Sequence, residues 1–290
     1  MPSVREKRAW VSVLNNMIGE IVLVFFLSVL AVILYDNLNY KWVSISTLPL
    51  QIFGIALSIF LAFLNNTAYD RWWEARGLWG AITNLSRTFT RQSLTFVKTD
   101  REQEKTECEQ FKNDLVCRQI AYAYALRDAL RDNDPTPRLM SYATEPEIEA
   151  LKKEPNLPIA LLQKQGEALS KAHSRGWLTE LSYMNLDNTL SEITNAQGGC
   201  ERIKNTPIPA PYRVFSHNLV FFFCCAIPFG LVATTEAKTL FVATATALGF
   251  FTLERVGRML ADPFLAHANS VNLDKIVETI ETNLTARINP

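Results

Sequence analysis

Between Ile52 and Gln92 no proline interrupts the chain, and helix-forming residues run throughout. At 1.5 Å per residue, one helix over this stretch would be about 60 Å long. Its first half is apolar, whereas its second half is amphipathic and carries Arg71, Arg76, Arg87 and Arg91. A helix of that length and composition starts in a bilayer and ends well outside it.

Two stripes lie side by side on the apolar half. Ile55, Ile59 and Phe63 recur every four residues and share one face, and Gly54, Ser58 and Ala62 follow one position behind. Small residues at that spacing let neighbouring membrane helices approach closely. In a ring of identical helices the small residues would make the contacts and the bulky ones would point to the axis, where an apolar constriction gates an ion path by dewetting. The alternative is that Ile55, Ile59 and Phe63 face lipid or another helix, as most apolar stripes do. Helical steps beyond Phe63 reach Asn66 and then Asp70. Several copies of Asp70 would form a cation-attracting ring; otherwise Asp70 pairs with Arg71, Arg76 or another basic neighbour.

The remaining apolar residues are bunched into three further runs, near 17–35, 212–234 and 239–253. Basic residues flank the N-terminus (Arg5, Lys7, Arg8), the end of the second run, the start of the third and the end of the fourth. In a four-span topology all of these fall on one side, so both termini are expected in the cytoplasm, beneath a plasma membrane. The expected segments are 1–97 with the first two spans, a charged helical cytoplasmic domain over 98–205, the last two spans over 206–260, and a cytoplasmic C-terminal helix within 261–290. In the cytoplasmic domain, helices are expected from about 161 to 172 and 178 to 203, with Pro155 and Pro158 flanking a loop. The amphipathic stretch 272–288 is expected to pack on that domain or on a neighbouring subunit. The formal net charge of +0 leaves no basic excess for nucleic acid. The five cysteines are scattered without paired spacing and the three histidines lie far apart, so no metal or cofactor is expected.

Arg71-Trp72-Trp73-Glu74-Ala75-Arg76, followed by Leu78-Trp79-Gly80, resembles the bestrophin family, in which the same apolar helix runs into an Arg-Trp-Trp step. The resemblance continues at Gly199-Cys200-Glu201-Arg202-Ile203, at Thr206-Pro207-Ile208-Pro209 and at Ala261-Asp262-Pro263-Phe264, in order along nearly the whole chain. It implies an all-α membrane protein with four transmembrane helices and a helical cytoplasmic domain, assembled as a homopentamer around a central pore. It also implies a neck of three apolar rings, which fall on Ile55, Ile59 and Phe63. A cytoplasmic aperture about four helical turns before Cys200 falls on Met184, which could equally be ordinary core filler.

The chain departs from eukaryotic bestrophins after Pro263-Phe264, where Leu265-Ala266-His267-Ala268-Asn269 replaces a calcium-binding acidic run. No carboxylate appears there before Asp274, too few oxygens for a calcium clasp. This looks like the bacterial branch, located in the inner membrane, and implies conduction of monovalent cations such as sodium. The alternatives are a chloride-selective channel, a transporter and a membrane scaffold. An enzyme is not expected, because no HExxH, GxSxG or P-loop occurs.

Overall fold

The computed structural model describes residues 17–139, 142, 149, 151, 153–266 and 270–288. The basic residues Arg5, Lys7 and Arg8, and His267 to Asn269 of the segment after Phe264, lie outside the described residues. Eight principal helices follow in order: α1 Ile18–Val32, α2 Thr47–Phe96, α3 Lys105–Leu130, α4 Leu157–Ser174, α5 Glu180–Asn205, α6 Ala210–Thr235, α7 Thr239–Ala261 and α8 Leu273–Ile288. No strand occurs among the described residues. Two compact units result, the described parts of Met1–Trp73 with Pro207–Ser270, and of Glu74–Thr206 with Val271–Pro290. Their boundary falls inside α2, between Trp73 and Glu74, and the sequence beyond residue 271 belongs with 74–206.

In the first unit α1, α6 and α7 pack against one another. Leu57 and Leu61 of α2 join Val24, Phe223, Ile227, Ala247 and Phe251 in its core. Three stretches of the described chain are long and apolar enough to cross a membrane: Ile18–Asn37, Lys41–Phe96 and Ala210–Ala261. The third stretch holds two helices, α6 and α7, separated by the 3-10 turn Glu236–Lys238. Glu236 enters that turn at φ 49°, a left-handed backbone that reverses the chain in few residues. Pro209 and Pro211 bracket the start of α6, where a missing N–H costs nothing. Lipid tails are as apolar as leucine, so close packing rather than escape from water holds such helices together. Gly54 shows how close: a Cβ there would sit 2.8 Å from the Phe223 ring. At Gly230 it would sit 2.5 Å from Leu50.

In the second unit α3 packs against α4 and α8, and α4 against α5. Trp79, Ile82 and Phe89 of α2 are fully buried there. Some buried polar groups bridge the helices: Gln119 donates to Ser86 Oγ at 2.9 Å, Thr189 Oγ1 donates to Gln92 at 2.8 Å, and Gln165 donates to the Leu115 carbonyl at 2.9 Å. Thr179 caps α5, accepting from Ser182 N at 3.2 Å. Asn156 caps α4, accepting from Ile159 N. Pro158 therefore sits in the first turn of α4, a position that favours proline, and not in a loop as its composition led one to expect. The apolar face of α8 packs against α3, with Tyr124 donating to Glu281 at 2.5 Å and Arg131 gripping Asp274 at 2.9 Å.

Candidate functional site

The apolar stripe of α2 is turned away from its own subunit. Ile55 is 64% exposed, Ile59 54% and Phe63 70%, although Leu57 and Leu61 on the opposite face are buried. At 3.6 residues per turn, Ile55, Ile59, Phe63, Asn66 and Asp70 fall within an arc of about 80°. Asn66 and Asp70 are also exposed. Five helical turns after Ile55 the same line meets Trp73, 61% exposed and stacked on Tyr69. One helix edge thus runs from bulky apolar groups through an amide and a carboxylate to an aromatic ring, left exposed by the described residues of its own unit. Among the described residues Asp70 has no ion-pair partner, because Arg71 instead donates from Nε to the Ala261 carbonyl at 3.1 Å.

The small-residue stripe divides. Gly54 is buried against Phe223 of its own chain, whereas Ser58 and Ala62 are exposed beside Ile59 and Phe63. Ser58 Oγ donates back to the Gly54 carbonyl at 2.8 Å, so its hydroxyl needs no external acceptor. Met184, on α5 in the other unit, is 52% exposed, with Leu181 at 71% one turn before it.

The scattered sequence motifs meet on α2. Arg71 holds the carbonyl of Ala261, whose neighbour Asp262 lies 3.5 Å from Arg213. In the second unit Glu74 pairs with Arg202 at 2.5 Å. A Cβ on Gly199 would sit 2.9 Å from the Leu78 side chain, which would have to shift to admit it. Next to it Cys200 is fully buried, and burial, with the Glu201 and Glu74 charges, pushes its thiol up to about 12.

Sequence spacing did not reveal a charge cluster in the first unit. Glu254 of α7 is 4% exposed, bonded to Arg258 and 3.9 Å from His217 of α6. The next residue, Arg255, pairs with Glu20 of α1 at 3.0 Å. His217 and Glu254 are too far apart in sequence for any local pattern to link them. No group of three or more His, Cys, Asp or Glu side chains poised for a metal occurs among the described residues, and Asp274 is occupied by Arg127 and Arg131.

Comparison with known proteins settles the family. The profile described as Bacterial/Fungal Bestrophin protein matches residues 7–286. The chain belongs to the bestrophin family. This bestrophin is 34% identical over 270 residues to a voltage-dependent anion channel-forming protein of Ralstonia nicotianae, covering 93% of this chain and 86% of the relative. It is 31% identical to YneE of Salmonella typhi, which bears the same description, over 97% of this chain and 92% of that one. Among solved structures it is similar to a single-residue variant of a bacterial bestrophin homologue from Klebsiella pneumoniae, with a TM-score of 0.88 and 28% identity over 95% of this chain and 100% of that one.

Proposed function

We propose that this bestrophin is a passive ion channel in which α2 of five subunits surrounds a pore, with Ile55, Ile59 and Phe63 as its apolar neck. The observation that carries this reading is the exposure of all three side chains on one edge of a helix whose opposite edge is buried. On this reading the path runs between copies of α2 and not through a single subunit. Ser58 and Ala62, small and exposed beside the neck, suit contact between neighbouring α2 helices. On this reading α1, α2, α6 and α7 cross the inner membrane, the charged unit is cytoplasmic, and Met184 lines a second constriction there. Native mass spectrometry in mild detergent should give a pentamer, and a population of monomers and dimers alone would contradict the assembly.

The charge preference follows from what lies beside the neck. Asp70 is exposed, on the neck's line and without an ion-pair partner among the described residues, which supports a ring that draws cations. The relatives from Ralstonia and Salmonella, named as anion channel-forming proteins, support the opposite preference. The reversal potential of purified protein under a salt gradient separates the two. If the ring acts, Asp70→Asn should move the reversal potential toward the anion side. A cation-selective wild type whose reversal potential Asp70→Asn leaves unmoved would remove Asp70 from the selectivity path.

A further inference from the structure

On the cytoplasmic half of α2, Arg87, Thr90, Arg91 and Leu94 recur at the i, i+3, i+4, i+7 spacing of one helix face. That face meets Asn283, Leu284 and Arg287 of α8 across a cavity of about 480 Å³. Three arginines, Arg87, Arg91 and Arg287, stand exposed around its mouth, and no Asp or Glu lines it among the described residues. Thr90 is 3% exposed and its Oγ1 has no hydrogen-bond partner among the described residues. The Nδ2 donor of Asn283 is likewise buried and unpartnered. A second groove between the same two helices, about 530 Å³, shares Arg87, adds Arg76 and Lys275, and is also free of carboxylates.

We infer that the α2–α8 cavity is a binding site for a phosphate-type oxyanion, held by Arg87, Arg91 and Arg287 and by the donors of Thr90 and Asn283. Unmet buried donors cost free energy, and the solvent-facing arginines add a local positive field; one multivalent oxyanion satisfies the donors and is drawn by that field. Guanidinium forks match the paired oxygens of a phosphate, and Arg is favoured over Lys where that geometry counts. The volume falls within the range of small-ligand sites. Leu94 and Leu284 line the wall, leaving an apolar surface for the body of a phosphorylated molecule. Such a phosphate could belong to a free solute or to a lipid headgroup. The inference is independent of ion conduction.

The test uses the full-length protein in neutral detergent, titrated calorimetrically with sodium pyrophosphate against a chloride background of equal ionic strength. One site per subunit is expected. Arg91→Gln or Arg287→Gln should weaken binding roughly tenfold or more, the loss of one charge-assisted hydrogen bond, and Thr90→Val by several-fold. The wild-type melting midpoint should rise in pyrophosphate but not in chloride, a readout that needs no variant. If pyrophosphate is silent, native mass spectrometry from nanodiscs should show dioleoylphosphatidylglycerol retained over dioleoylphosphatidylcholine and lost in the Arg variants, which assigns the phosphate to a lipid. Absence of both pyrophosphate binding and selective lipid retention overturns the site. So does a result in which the Arg variants break the assembly while wild type binds neither probe, because the groove then takes a neighbouring copy of this chain.

Discussion

Ile59→Ser should conduct more current than wild type at matched protein amounts. Water leaves a narrow apolar tube because it loses hydrogen bonds there and gains none, so an ion meets a barrier at each ring. Serine is smaller than isoleucine and wets the wall. Lowering the barrier by about 0.8 kcal/mol, the apolar hydration of one methylene, raises the rate roughly fourfold. Ile55→Ala, Ile59→Ala and Phe63→Ala should each act in the same direction through width alone. Were the stripe facing lipid, the Ala variants would be nearly silent, and Ile59→Ser would lower folded yield without raising current. Unchanged currents in all three Ala variants would remove the neck.

The largest loss of stability is expected at Glu254→Ala. Its carboxylate is almost wholly buried, with Arg258 bonded to it and His217 close by. Removing one partner of a fully buried pair costs about 3–5 kcal/mol, and because the Arg258 side chain is 34% exposed the loss here should fall at or below the low end of that range. The thermal midpoint in detergent should fall well below that of wild type. Glu254→Leu combined with Arg258→Met should recover a large part of the loss, since an apolar pair of similar volume replaces both charges. A midpoint for Glu254→Ala within error of wild type would show that the cluster does not hold α6 and α7 together.

The order of the helices was readable because each long apolar or amphipathic run is bounded by Pro, Asn, Asp or charge, as at Asp36-Asn37 and Thr206-Pro207. A period of four put Ile55, Ile59 and Phe63 on one edge, but period says which residues share a face, not what that face meets. Gly54 illustrates the gap. Its spacing with Ser58 and Ala62 suggests a single contact surface, yet Phe223, far along the sequence, fills the space beside Gly54 alone. Arg87 and Arg91 read as basic residues flanking a span. Only the packing of α8 against α2 shows that they line a seam with an unpartnered Thr90. The Glu254 cluster stayed hidden for the same reason, because His217 and Glu20 reach it through tertiary contacts.

The account stands most directly on single-channel recording of the purified protein in a planar lipid bilayer under a salt gradient. It predicts discrete unitary currents, far above carrier rates, that grow in the Ile59→Ser variant. A bilayer that stays silent with well-folded wild-type and Ile59→Ser protein incorporated would contradict it.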